Sequence, residues 1–278
     1  MGEVDLEAAI GFVVAHGDDV DRARLAYLRT GAEPAPELLA VAEAGQIAGA
    51  GWPGEQGGVI ASIDATCFRL AELDDLGALG RPPVRQALDW LAATQRPDGT
   101  WEEDAALAED APPWARPGDE AARLYLTANA AFWLSAAGLA ARPAGPRDTR
   151  VGGAYAGVVR RAADLLAGCL REDGSWPSFL VTGWLGAAVL YAQHKFYEAA
   201  RMRLVLEKRL PEMTAADVAW LACALRRLGL DDHDPLLVGA RNRLAETQRT
   251  DGCWPSDDGD AFTVHTTLMA IRACRKAG

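Results

Sequence analysis

A seven-residue signature returns four times along this 278-residue chain: QIAGAGW at 46–52, QRPDGTW at 95–101, LREDGSW at 170–176 and QRTDGCW at 248–254. No other feature constrains the fold as much. Each copy marks the same joint in successive units, and units of this size bury their apolar faces only by stacking. Gln opens three of the copies and Leu170 opens the remaining one. A Gly stands two residues before the Trp in the last three, and at Gly49 and Gly51 in the first. Gly permits the positive φ that ends a helix, and Asp-Gly makes a tight turn. Gln can bond free carbonyls or amides at a neighbouring helix end while the Trp covers it. Trp52, Trp101, Trp176 and Trp254 are therefore expected to be structural rather than catalytic.

The stretch before a copy is amphipathic, as in PPVRQALDWLAATQ, and the one after it is more apolar, as in AADVAWLACALRRL; both follow the helical three-and-four period. An outer helix with one wet face, followed by an inner helix buried all round, accounts for the contrast. The pattern predicts inner helices near 4–28, 60–76, 119–138, 179–192, 213–228 and 260–275, and outer helices near 36–45, 82–94, 154–169, 195–209 and 235–247. The expected fold is all-α, an (α/α) toroid or barrel of about six helix pairs around a central apolar cavity. Residues 1–278 form one domain in this reading, with a loop insertion at 102–118 and a Pro/Gly/Arg linker at 141–153.

Composition narrows the function. The net charge is −11, with 28 basic residues scattered along the chain, so no concentrated cationic surface is available for nucleic acid. Five widely spaced cysteines, Cys67, Cys169, Cys223, Cys253 and Cys274, suit reduced thiols in the cytosol. Glu3, Asp5 and Glu7 stand where an export signal would carry positive charge, and no apolar run is long enough to span a bilayer, so a cytoplasmic protein is expected. Residues 194–210, with Lys195, Arg201, Arg203, Lys208 and Arg209, read either as an ordinary outer helix or as a peripheral membrane contact.

Gln followed by Asp-Gly-x-Trp after an amphipathic helix resembles the QW repeat of squalene–hopene and oxidosqualene cyclases and their prenyltransferase relatives. Those cyclases are far longer, with two helical domains, whereas this chain has room for one. The resemblance implies a class II-type terpenoid cyclase that protonates an alkene or epoxide of a linear isoprenoid. It needs no cofactor for that step, and Mg2+ enters only if the substrate carries diphosphate. In the family the acid is the middle Asp of an Asp-x-Asp-Asp-Thr motif at the start of an inner helix. Ser62-Ile63-Asp64-Ala65-Thr66 matches it best, keeping Asp64 and Thr66 and replacing the flanking carboxylates by Ser62 and Ala65. Family members that open epoxides rely on one Asp with a Cys as hydrogen-bond partner, which points to Cys67. From the residues alone, Asp64 serves equally as a first-turn capping group.

Other helix starts offer Asp119, Glu120, Asp217 and His265, a set of ionisable groups at one mouth, with His265 able to tune or recharge Asp64. Asn129 and the aromatics Phe68, Tyr125, Phe132, Trp133, Trp184, Trp220 and Phe262 fall on predicted inner helices, as cavity lining that stabilises cationic carbon or as core. The acidic runs 102–104, 231–234 and 257–260 lack the spacing of ionising terpene synthases and read as solvated loops. The zinc ligand pair of the protein prenyltransferases is missing, so no metal site is expected. Two alternatives stand beside the cyclase: a non-catalytic isoprenoid-binding or protein-interaction ring, and a sugar-active or prenyltransferase-like enzyme, the former pairing Asp64 with Asp217.

Overall fold

The computed structural model describes residues 3–140 and 154–275, and the expected linker at 141–153 lies outside them. Twelve α-helices and no strand occur among the described residues. The helices are α1 (Leu6–His16), α2 (Asp19–Thr30), α3 (Pro36–Glu43), α4 (Ile63–Asp75), α5 (Pro82–Ala93) and α6 (Glu120–Ala140). They continue with α7 (Ala156–Gly168), α8 (Leu180–Ala192), α9 (Phe196–Arg209), α10 (Ala215–Arg227), α11 (Pro235–Thr247) and α12 (Thr263–Cys274).

One expectation fails at the start of the chain. The segment 4–28 is two helices, not one. Gly17 ends α1, and Asp18 opens α2 with a reciprocal capping box to Asp21. The extra helix completes an alternation through the described residues. The even-numbered helices pack in a closed circuit: α2 on α4, α4 on α6, α6 on α8, α8 on α10, α10 on α12, and α12 back on α2. The odd-numbered helices lie against this circuit with one face wet. On α5 the buried face is Val84, Ala87, Leu88 and Leu91, whereas on α8 every residue from Thr182 to Leu190 is buried.

The Gln/Trp signature forms the joint from an odd helix to the next even one. The indoles of Trp52, Trp101 and Trp254 donate to Glu43, Leu91 and Leu244, carbonyls near the end of the preceding helix. Gln46, Gln95 and Gln248 donate within their own turn and also to Pro83, Val158 and Asp5, at the start of the next odd helix. Gln248 thereby joins the last outer helix to the first. A third partner was not visible in the signature: the backbone N–H of Trp52, Trp101 and Trp254 donates to the hydroxyls of Thr66, Thr127 and Thr267 on the following even helix. The copy at 170–176 departs from this pattern, since the Trp176 indole donates to Phe179 instead.

Ion pairs tie the N-terminal helices of the circuit to its C-terminal ones. Asp74 and Asp75, buried at the end of α4, accept from Arg227 on α10, Arg272 on α12 and Arg24 on α2. Removing one member of such a cluster costs about 3–5 kcal/mol, because the remaining charge is left buried and unpaired. The basic stretch of α9 is also engaged within the protein. Lys195 pairs with Asp164, Arg203 with Asp234 and Arg209 with Glu212, while Arg201 lies over the Tyr197 ring. α9 is thus an outer helix most of whose cations are engaged within the protein. Among the described residues no helix is long and apolar enough to cross a membrane.

Candidate active site

The head of α4 is capped twice. The Ser62 hydroxyl accepts from the Ala65 N–H at 3.1 Å. The buried carboxylate of Glu103 accepts from the Ser62 hydroxyl at 2.8 Å and from the N–H groups of Ile63 and Asp64, both at 2.9 Å. The capping role open to Asp64 is thus filled by other side chains, and its carboxyl turns elsewhere. Oδ1 accepts from the Tyr125 hydroxyl at 2.7 Å and Oδ2 from the Trp114 indole N–H at 2.9 Å. Asn129, one turn along α6, donates to the Tyr125 oxygen at 3.1 Å. The Asn129 amide oxygen is buried without a hydrogen-bond partner among the described residues.

The Thr-pinned turns also explain why these residues meet. Thr66, Thr127 and Thr267 occupy equivalent places, and two residues before each stand Asp64, Tyr125 and His265. The repeat thus places an acid, a phenol and an imidazole at matching positions on α4, α6 and α12. His265 stacks on Phe68 with ring centroids 5.2 Å apart, and Arg24 donates to its Nδ1 at 3.1 Å. An Arg only donates, so Nδ1 is the acceptor and the neutral ring carries its proton on Nε2. His265 is engaged with Arg24 and Phe68 rather than hydrogen-bonded to Asp64, contrary to the tuning role expected from the sequence.

Burial raises the Asp64 carboxyl above its ordinary value, opposed by the hydrogen bonds from Tyr125 and Trp114. Burial likewise raises Glu103, against the bonds it accepts from the head of α4. The Tyr125 phenol and the Cys67 thiol are pushed well up, first by burial and then by Asp64. His265 is lowered to about 4 by burial and by the Arg24 charge. The arrangement is that of a carboxyl whose charged form burial disfavours, with two neutral donors already placed to receive its conjugate base.

The remaining sequence candidates scatter around this centre. Cys67 is buried beside Asp64, but the hydrogen bonds to the acid come from Tyr125 and Trp114. Phe68, on an even-numbered helix, is nonetheless 44% exposed. Trp133 is buried edge-on to Phe132, and Trp184 meets Trp220 edge-on at 5.8 Å. Glu120 is exposed in the first turn of α6, and Asp119 accepts from Ala122 as that helix's cap. Phe262 sits exposed in a short 3₁₀ turn before α12, not on the helix. Asp217 begins α10, which is not adjacent to α4 in the circuit, and its acidic neighbours are Asp257 and Asp258. The run 102–104 is a correction: Glu103 is buried at the site rather than solvated. Among the described residues no group of three or more His, Cys, Asp or Glu is placed to hold a metal ion.

Glu103 and Trp114 are the site residues that sequence reasoning missed. Both belong to the insertion at 102–118, and nothing in their spacing shows that it folds back over the head of α4.

No protein-family model matches the chain, and no curated protein matches it in sequence. Solved structures do. A protein from Actinoplanes aligns over 97% of both chains with a TM-score of 0.62 at 16% identity. A substituted form of the type II terpene cyclase MstE from Scytonema, in complex with merosterolic acid A as product, aligns over 97% of this chain and 94% of its own, with a TM-score of 0.59 at 16% identity. Another substituted form of MstE, in complex with geranylgeranyl dihydroxybenzoate as substrate, aligns over 97% and 86% with a TM-score of 0.54 at 17% identity. This chain therefore shares the helical fold of a type II terpene cyclase.

Proposed function

We propose that the protein is a class II-type terpenoid cyclase in which Asp64 protonates an alkene or epoxide of a linear isoprenoid. One observation carries the reading: Asp64 is only half-buried, yet both its carboxyl oxygens accept hydrogen bonds from neutral side chains and neither accepts from backbone. A structural Asp at a helix start normally takes first-turn N–H groups, and here Ser62 and Glu103 take them. The fold shared with a cyclase captured with a linear isoprenoid substrate supports the same reading.

The chemistry follows from the donors. Asp64 gives its carboxyl proton to the less substituted carbon of the terminal alkene, or to an epoxide oxygen whose C–O bond then opens, leaving a tertiary cation. The next alkene attacks that cation to close a ring. The carboxylate left behind keeps its bonds from Tyr125 and Trp114, an interaction stronger for the anion than for the acid, so it favours proton loss. The exposed ring of Phe68, one turn after Asp64, supplies a π-face for the cation. Proton loss from the final cation to a base makes the reaction an isomerisation, so neither metal nor redox cofactor is required for these steps.

The decisive experiment incubates purified protein with linear isoprenoids, free, epoxidised and as diphosphates, beside the Asp64→Asn variant, with products read by mass spectrometry. A cyclised product lost in the variant is expected. Tight retention of an isoprenoid without turnover would replace the enzyme by a binding module.

A further inference from the structure

A second carboxyl, more deeply buried than that of Asp64, stands at the head of α4. We propose that Glu103 is a positioning residue for Asp64: it carries the site's one negative charge and so leaves Asp64 as the protonated partner. This rests on the reading of Asp64 as the acid.

The two carboxyls differ in what they accept. Glu103 takes three hydrogen bonds, two from backbone N–H groups of the first turn of α4 and one from the Ser62 hydroxyl. It therefore sits against the unsatisfied donors at the positive end of that helix, where an anion is best held. Asp64 takes two bonds, both from side chains, one of them the half-exposed Trp114. Two neighbouring carboxyls do not readily both ionise, and the charge settles on the one better provided with donors. By engaging the Asp64 N–H, Glu103 also removes the nearest backbone donor that would otherwise stabilise an Asp64 anion.

The other groups around the pair leave this division intact. On α4 itself stands Cys67, and from α6 comes Tyr125, both held neutral by burial. From α12 and α2 come neutral His265 and Arg24 across Phe68, with Arg24 already paired to Asp75. Next to Glu103 in the chain, Glu102 is paired with Arg96 and with Arg123 of α6. Asp64 is the like charge that Glu103 meets, and the three hydrogen bonds from the head of α4 oppose it.

Two measurements test the assignment. The first is the pH profile of cyclisation in wild type and in Glu103→Gln. The active acid is the protonated one, so activity falls as pH rises through its pKa. Losing the Glu103 charge moves that fall to lower pH by about one unit or more. A purely structural role would lower the whole profile without moving the fall, and that result overturns the proposal. The second follows 13C-labelled carboxyl groups by NMR against pH in the wild-type protein, with Asp64→Asn identifying the Asp64 resonance. Glu103 is expected to ionise at lower pH than Asp64, and the reverse order overturns the proposal. The NMR order needs neither turnover nor a folded Glu103 variant. If no isoprenoid is cyclised, the cyclase reading fails while the Glu103 assignment is still decided.

Discussion

The Tyr125 hydroxyl donates to Oδ1 of Asp64 at 2.7 Å, joining α6 to α4 at the start of the acid's helix. This bond strengthens when Asp64 becomes a carboxylate, so it favours the deprotonated form. Tyr125→Phe should weaken the acid in two readable ways. The plateau rate should drop roughly 10- to 100-fold, the loss expected from one hydrogen bond to a charged group. The fall of activity with rising pH should move upward, opposite to the shift expected of Glu103→Gln. A Tyr125→Phe profile that overlays the wild type would remove the phenol from the mechanism.

Asp64→Asn keeps an oxygen for Tyr125 but has no proton to give. Cyclisation should fall by at least about 10²-fold, with substrate retention unchanged, since general acid catalysis is lost while shape is kept. Trp114→Phe is milder. Its indole N–H bonds Oδ2 at 2.9 Å, but the side chain is 46% exposed, so water can take the vacated place. A decrease of about 3- to 10-fold is expected, smaller than for Tyr125→Phe. Equal losses in the two variants would show that the ring of Trp114, not its N–H, is what matters.

His265 gives the fold a pH dependence of its own. Its folded pKa is lowered to about 4, by burial first and by Arg24 second, while an unfolded His titrates near 6.5. A depressed folded value means stability that is fully present above about pH 6.5 and is lost as pH falls toward 4, on the order of 3 kcal/mol in all. His265→Phe keeps the stack on Phe68 and removes the titration. Between pH 7 and 4.5 the variant's melting temperature should fall less than that of wild type. Parallel curves for the two proteins would show that His265 is not held neutral in the fold.

The alternation of helices was legible because the Gln/Trp signature and the apolar period describe local chain, and local chain decides turns and helix faces. The break in 4–28 was also written there, in Gly17-Asp18 and in the Asp18/Asp21 cap, but it lies inside an otherwise continuous periodic stretch. Asp64 could be singled out as a candidate because it follows a turn and opens a helix. Its surroundings could not. Ser62 and Ala65 stand where the resembling motif has carboxylates, and the second carboxyl at this helix start comes from Glu103, 39 residues beyond Asp64. The path of an insertion across a helix end depends on contacts far apart in sequence, and so do the pairings of Arg24, Arg227 and Arg272 with Asp74 and Asp75. The Thr66, Thr127 and Thr267 register was equally hidden, because Thr in a helix has many uses and only the paired Trp N–H reveals this one.

The circuit closes where the last signature meets α1, and that joint should be the most sensitive of the turns to small changes. Gly252 has φ +90°, and a β-carbon there would lie 2.3 Å from the carbonyl carbon of Ala8. Backbone atoms cannot step aside as a flexible side chain does, so Gly252→Ala must either strain its turn or push α1 off α11. A loss of about 3 kcal/mol or more is expected, with steric overlap added to the strain of a left-handed Ala. Gly259→Ala is the control. Its φ is +105° but open space surrounds it, so only the backbone strain remains, about 1–2 kcal/mol. Gln248→Ala should fall in between: it removes the bonds to Asp5 and Gly252 without forcing anything apart. Chemical denaturation of the three variants orders them. If Gly252→Ala were no worse than Gly259→Ala, α1 would not be held against the last turn, and closure of the ring would have to rest on the contacts of α2 and α12 alone.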